Sequence, residues 1–267
     1  MRIAMGVEYD GTSYNGWQRQ RVGHGVQEVL EKALAFVAND AVEVVCAGRT
    51  DAGVHATAQV VHFDTAAIRE RRGWLLGVNS KLPDDINVCW VEFPTGDFHA
   101  RYSATSRSYR YLILNRPVRS SLFRNRAWWV YGGLDAARMQ EAASQLLGAH
   151  DFSAFRAAGC QASSAHRDIS ELRVERHDEW LTITVTANAF LQHMVRNISG
   201  LLVAVGSGAQ SPDWAATVLA SRDRKLGAVT APPQGLTLID VQYPPDFGLP
   251  EQPAQGVLPG TAWDRVG

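Results

Sequence analysis

The sequence predicts an α+β protein in which two similar halves share a mostly antiparallel, mixed sheet. Short apolar alternations typical of strands recur along the chain, and stretches with helical spacing lie between them. Each half follows the order strand, helix, strands, helix, strand, which is the second observation behind this class. The halves are predicted to span residues 1–105 and 106–245. Residues 246–267 are dense in Pro and Gly, lose periodicity, and are predicted to form a disordered tail.

The first half opens with a strand, because apolar residues alternate with other residues from Ile3 to Tyr9, the pattern of a half-buried strand. Glycines and polar residues over 10–20 then predict a loop. Apolar residues at i, i+3, i+4 and i+7 between Val26 and Val37 predict an amphipathic helix. The other predicted elements of this half are strands at 44–47, 59–63 and 86–91 and a helix near 74–78.

The second half is predicted to begin with a strand over Ser108–Asn115 and to continue with a helix from about Asp135 to Leu147. Two strand-like runs joined by a polar turn predict a β-hairpin over 169–187. A long helix is predicted from Phe190 to Val205, where a glycine follows the last apolar position. Residues 235–243 are predicted to form the closing strand.

Composition bounds the class of protein. The chain has 267 residues, 46% of them hydrophobic and 20% charged, which is typical of a soluble globular protein of one large or two modest domains. The sequence contains no run of about 18 apolar residues, so no membrane span is predicted. The N-terminal residues alternate like a strand and lack the apolar core of a secretory signal, so a cytoplasmic protein is predicted. The three widely spaced cysteines are predicted to be reduced thiols, with Cys46 and Cys89 buried, and no metal site is predicted.

The net charge of −1 conceals an uneven distribution of charge. Residues 98–134 contain no Asp or Glu, but they contain seven arginines with tyrosines and tryptophans interleaved. The arginines are Arg101, Arg107, Arg110, Arg116, Arg119, Arg124 and Arg126. Guanidinium groups suit phosphates and aromatic rings stack on unpaired bases, so this segment favours RNA or another polyanion as partner. A solvated strand-and-loop region that happens to prefer arginine is the alternative.

The segment AGRTDAGVHA, residues 47–56, contains a carboxylate in a glycine-rich loop. Asp51 lies between Gly48 and Gly53, with Arg49 before it and His55 after it. The preceding residues predict a short buried strand, and loops anchored on such supports often hold functional side chains. The local pattern is equally compatible with a hairpin turn in which Asp is present for its turn chemistry. We assign His55 no chemistry, because a histidine in such a loop is more often structural or phosphate-contacting.

Five segments, taken together and in order, resemble the tRNA pseudouridine synthase A family. They are YDGTSYNGWQRQ (9–20), AGRTDAGVHA (47–56), FHARYSATSRSYRYLI (98–113), NAFLQHMVRNISG (188–200) and TAPPQGL (230–236). The resemblance covers most of the chain and implies the pseudouridine synthase fold with a central RNA-binding cleft. It implies isomerisation of uridine to pseudouridine in the tRNA anticodon stem-loop, at positions 38 to 40, without cofactor or metal. Gly25 departs from the Thr or Ser expected as helix cap, which bears only on local stability.

The resemblance also implies roles for individual residues. Asp51 is the expected nucleophile, attacking either the pyrimidine ring or the anomeric carbon, and Arg196 is its cationic partner. Tyr109 is expected to stack on the extruded uracil and to assist proton removal from carbon 5. Leu236 is expected to pack on the other face of the base, and Arg49 to open the stem or hold the nucleotide.

The predicted partners are tRNA and a second copy of the chain in a homodimer. The predicted RNA-contacting residues are Trp17, Gln18, Gln20, Arg101, Arg107 and Arg110. Two rival functions follow from the residues alone. An inert RNA-binding protein would need the arginines but not Asp51, Tyr109 and Arg196 together. A hydrolase acting on another substrate would leave the acid-free arginine segment unexplained.

Overall fold

In the computed structural model, which describes residues 1–20 and 23–250, the chain folds around one ten-stranded sheet. The strands are β1 (Arg2–Tyr9), β2 (Val45–Cys46), β3 (His55–Asp64), β4 (Ile86–Glu92), β5 (Ser106–Asn115), β6 (Trp128–Val130), β7 (Gly148–Asp151), β8 (His166–His177), β9 (Trp180–Ala187) and β10 (Leu236–Gln242). The helices are α1 (Val26–Ala38), α2 (Arg71–Asn79), α3 (Ala136–Ser144), α4 (Met194–Gly206) and α5 (Trp214–Ser221).

The sheet runs in the order β4-β1-β3-β10-β5-β9-β8-β7, with β2 paired to β3 and β6 paired to β5. Neighbouring strands are antiparallel except in the pairs β10–β3 and β5–β6. The predicted α+β class with a mostly antiparallel, mixed sheet is therefore confirmed. The division into halves at residues 105 and 106 stays a prediction.

The last strand of the chain lies in the middle of the sheet. On one side β10 pairs in parallel with β3, where Leu238 lies opposite Ala56. On the other side it pairs antiparallel with β5, where Leu236 lies opposite Tyr111 and Leu238 opposite Tyr109. Directly paired residues point to the same face of a sheet, so these leucines and tyrosines share one face.

One continuous apolar core joins the sheet to all five helices. Trp74 of α2 packs edge-on against Phe63 of β3, with ring centroids 5.5 Å apart. In the second half α3 packs on β8, and α4 packs on β5. A small separate cluster of Leu112, Leu114 and Ala127 includes the alternate residues of β5.

Several sequence predictions about local structure were wrong. Strand β1 is buried on both faces, since Ala4 and Gly6 are buried as well as the predicted apolar positions. Helix α4 begins at Met194 rather than Phe190, because His193 has a left-handed backbone with φ 63° that a helix cannot include. Cys89 is exposed, not buried. The short elements β6, β7 and α5 were not predicted, and helix α3 ends at Ser144.

Residues 251–267 of the predicted disordered tail lie outside the described residues. Residues 246–250 are described, and the Phe247 ring lies 5.3 Å from that of Phe98. None of the described helices is both long enough and apolar enough to cross a membrane. No group of three or more His, Cys, Asp or Glu side chains within the described ranges is arranged to hold a metal ion.

Candidate active site

Asp51 lies in the loop between β2 and β3. The loop turns sharply after the aspartate, where the Val54 amide donates to the Asp51 carbonyl oxygen at 3.1 Å. Gly53 takes φ 77° inside this turn, a left-handed conformation that residues with a β-carbon resist. The left-handed backbone of this turn therefore explains why the loop has a glycine at position 53.

Residues 9–17 stabilise the Asp51 loop through hydrogen bonds. The Tyr9 hydroxyl is hydrogen-bonded to the Thr50 hydroxyl at 2.8 Å, and the Trp17 amide donates to the Thr50 carbonyl oxygen at 3.0 Å. The Gly53 amide in turn donates to the Tyr14 carbonyl oxygen. Trp17 is buried, with its ring 5.9 Å from that of Tyr9. It therefore supports the Asp51 loop from the core, and its burial leaves it no surface for RNA.

The Asp51 carboxylate receives two nitrogen contacts on the same oxygen. Arg196 Nη1 donates to Oδ2 at 3.0 Å, and His193 Nε2 lies 3.5 Å from Oδ2. The other oxygen, Oδ1, accepts no hydrogen bond from any described residue. The Asp51 side chain is 25% exposed, so Oδ1 is open to a ligand while Oδ2 is held.

Arg196 is fixed by the segment that leads into β10. Its Nε donates to the Ala231 carbonyl oxygen at 2.8 Å, and the Ala231 amide donates back to the Arg196 carbonyl oxygen at 3.1 Å. A β-carbon on Gly200, one helical turn later, would lie 2.0 Å from the Val229 carbonyl oxygen, so only glycine allows this approach. The guanidinium therefore joins three segments of the chain that are distant in sequence.

Tyr109 is buried near this ion pair. Its ring packs edge-to-face on Phe190 with centroids 5.1 Å apart, and a β-carbon on Gly48 would lie 3.6 Å from its hydroxyl oxygen. Burial, and to a smaller extent the negative charge of Asp51, raises the pKa of Tyr109 well above its usual range. The hydroxyl is therefore protonated at neutral pH. Leu236 is buried on the same face of the sheet, opposite Tyr111.

The two other notable residues of the loop differ in exposure. Arg49 is exposed and makes no side-chain hydrogen bond within the described ranges. His55 is the first residue of β3 and is buried, not in the loop as predicted. The Gly11 amide donates to its Nδ1 at 3.1 Å, its Nε2 lies 2.8 Å from the Asn125 carbonyl oxygen, and burial lowers its pKa. Nδ1 also lies 3.0 Å from Asp10 Oδ1, so the contacts on both ring nitrogens give His55 a structural role.

The remaining predicted RNA-contacting residues divide into exposed and buried ones. Gln18, Gln20 and Arg101 are exposed. Arg107 is buried, and its guanidinium donates to four backbone carbonyl oxygens, so the structure gives it a packing role instead. Arg110 is half-buried on the other face of β5 from Tyr109, where it lines a cavity of about 240 Å³.

Sequence reasoning missed His193, which lies beside the carboxylate, and Phe190, which packs on the Tyr109 ring. His193 precedes Arg196 by three positions, a spacing that places two side chains on neighbouring positions of a helix surface. That spacing was visible in the sequence. Its contact with Asp51 was not, because the left-handed backbone at His193 has no signature in the local pattern.

Comparisons with known proteins are consistent with one family. The family model described as tRNA pseudouridine synthase matches residues 5–103 and 142–244. A "tRNA pseudouridine synthase A" from Coxiella burnetii (strain Dugway 5J108-111) is 53% identical over 252 residues, which cover 94% of this chain and 97% of the relative. One from Vibrio cholerae serotype O1 (strain M66-2) is 53% identical over 253 residues, covering 95% and 96%.

Among solved structures, an archaeal box H/ACA sRNP Nop10-Cbf5 complex is 10% identical, with a TM-score of 0.36. The match covers 75% of this chain and 44% of that one. A TM-score of 0.36 does not by itself establish a shared fold.

Proposed function

The chain belongs to the tRNA pseudouridine synthase family, and from this premise we propose that it isomerises uridine to pseudouridine at positions 38, 39 and 40 of the tRNA anticodon stem-loop. The proposal needs no cofactor, because the reaction breaks one glycosidic bond and forms another without net oxidation or hydrolysis. The observation that carries it is the Asp51–Arg196 ion pair beside the buried ring of Tyr109.

Asp51 is proposed as the nucleophile. The Arg196 guanidinium lies 3.0 Å from Oδ2 and balances the charge of the carboxylate in a partly buried site. Oδ1 is then the oxygen available to attack either the pyrimidine ring or the anomeric carbon. In both cases the bond from the sugar to uracil nitrogen 1 breaks, the base turns, and carbon 5 bonds to the sugar. The bond to Asp51 breaks to restore the carboxylate, the proton of carbon 5 passes to solvent, and nitrogen 1 takes up a proton.

Tyr109 and Leu236 are proposed to hold the base between them. They lie on the same sheet face, so an extruded uracil can stack on the tyrosine ring and contact the leucine on its other side. The raised pKa of Tyr109 means that its hydroxyl begins the reaction protonated. It can therefore only relay the carbon 5 proton, passing its own proton to water as it takes up the other.

The exposed residues around the loop are proposed to bind RNA. Arg49 lies on the loop itself and is placed to contact an extruded nucleotide, which costs a few kcal/mol to unstack. Gln18, Gln20 and Arg101 are exposed and carry the wider contact with the stem-loop. Arginine contacts to phosphate release counterions, so tRNA affinity should fall steeply with salt. Homodimer formation and a cytoplasmic location stay predictions.

The deciding experiment uses tRNA labelled with tritium at uridine carbon 5, because formation of pseudouridine releases that tritium to water. Wild type is expected to release it, and Asp51→Ala is expected to release none while keeping tRNA affinity. Asp84→Ala is the matched control, since Asp84 is an exposed aspartate with no side-chain hydrogen bond in the described structure.

Unchanged release by Asp51→Ala would contradict the proposed nucleophile. Tight tRNA binding by the wild type with no release would instead assign the chain to inert RNA binding.

A further inference from the structure

His193 combines an unfavourable backbone with a contact to the catalytic carboxylate. Four non-glycine residues in the described ranges have positive φ: Asn39, Asp178, His193 and Arg222. The left-handed conformation places the β-carbon too close to the following carbonyl oxygen, so a residue with a side chain is retained there at a cost. Of the four, His193 has its side chain beside Asp51, with Nε2 3.5 Å from Oδ2.

The position of His193 in the chain explains how its imidazole reaches the loop. The Met194 amide donates to the Leu191 carbonyl oxygen, which closes a turn just before the helix. The His193 carbonyl oxygen then accepts the first helical hydrogen bond from the Asn197 amide at 2.8 Å. Backbone hydrogen bonds on both sides of His193 therefore fix its conformation. Its side chain lies at the start of α4.

The contact itself is selective for one carboxylate oxygen. His193 Nε2 and Arg196 Nη1 both approach Oδ2 of Asp51, at 3.5 and 3.0 Å. A carboxylate held by one donor can tilt about its terminal bond. A second nitrogen contact on the same oxygen restricts that motion, so Oδ1 keeps one orientation.

We propose that His193 is a positioning residue that, with Arg196, fixes Oδ2 and directs Oδ1 of Asp51 at the substrate. This inference rests on the proposed role of Asp51 as nucleophile. It explains why a histidine occupies a backbone position that glycine or asparagine would fill with less strain. The role acts through Asp51, so it changes the rate of the chemical step and not the affinity for tRNA.

The test is the variant His193→Gly. Glycine accepts the left-handed backbone, so the fold is retained while the imidazole is removed. We expect the single-turnover rate of tritium release to fall by roughly threefold to tenfold, because a 3.5 Å contact is weaker than a full hydrogen bond to a charged group. The tRNA dissociation constant should stay within about twofold. His193→Gln, whose amide nitrogen can take the place of Nε2, should recover part of the rate.

Asn39→Gly is the matched control, since it relieves a left-handed residue at the end of α1, whose backbone amide donates to the Ala35 carbonyl oxygen and not to the Asp51 loop. It should leave the rate and the tRNA affinity unchanged. In both glycine variants the thermal midpoint should equal or exceed that of the wild type.

Three results would overturn the positioning role. They are a rate for His193→Gly within about twofold of wild type, a loss confined to tRNA affinity, and a loss that His193→Gln does not reduce at all. Failure of the proposed function is a different result, because the wild type itself would then release no tritium.

Discussion

The link between Asp51 and Arg196 can be measured by a double-mutant cycle of Arg196→Ala and Asp51→Asn. Arg196 is 14% exposed, and its removal deletes a carboxylate bond of 3.0 Å and a carbonyl bond of 2.8 Å. It also leaves the Asp51 charge without its guanidinium. A hydrogen bond to a charged group contributes about 1.5–3 kcal/mol and a neutral one about 1 kcal/mol. We therefore expect Arg196→Ala to lower the free energy of unfolding by roughly 2–4 kcal/mol.

In the Asp51→Asn background the same substitution should cost about 1–2 kcal/mol less, because a neutral amide needs no counter-ion. Urea unfolding of the four proteins measures this coupling, with unchanged slopes as the condition for comparing midpoints. Costs that add within about 0.5 kcal/mol would show that the two residues do not stabilise each other. The reasoning about a held and ionised carboxylate would then be refuted, whatever happened to the activity.

Three further outcomes are expected. Gly200→Ala should lower the free energy of unfolding by about 1–3 kcal/mol in urea, because its methyl group would overlap the Val229 carbonyl oxygen. Gly132→Ala, with nothing within 4 Å, should be near neutral, and equal effects would contradict the close approach. Burial, then the nearby His99 charge, lowers the pKa of His62 from 6.5 to about 4. The unfolded chain binds the proton more readily, so stability should fall by up to about 3 kcal/mol as pH drops from 6.5 to 4. His62→Gln should flatten that dependence in pH-resolved unfolding, and an unchanged slope would exclude His62 as its source. Tyr109→Phe should slow tritium release while preserving tRNA binding, whereas a near-normal rate would reduce the ring to a stacking surface.

The fold was predictable where side-chain spacing reports burial directly. Helical spacing identified α1, and the hairpin of β8 and β9 followed from two apolar alternations around a polar turn. Spacing did not reveal that β1 is covered on both faces, because Gly6 and Ala4 are small enough to be buried without an apolar signature. Three-residue β6 and four-residue β7 are too short for any period to show.

The candidate site was predictable only in part. The sequence resemblance implied the Asp51–Arg196 partnership, and the structure brings the two side chains to 3.0 Å. Residue type misled us at Trp17 and Arg107, since both suit RNA yet both are buried here in packing roles. Whether an aromatic or a guanidinium faces solvent or core depends on neighbours distant in sequence, which a local pattern does not contain. The contact of His193 with Asp51 was invisible for the same reason.

The placement of β10 between β3 and β5 has a consequence for how the chain folds during synthesis. The two strands that flank it do not pair with each other, so the sheet stays in two pieces until residues 236–242 have left the ribosome. The Asp51 loop belongs to one piece, and Tyr109 and Arg196 belong to the other. The candidate site can thus assemble only after nearly the whole chain has been translated, and a chain that ends before β10 lacks the strand that joins its two parts.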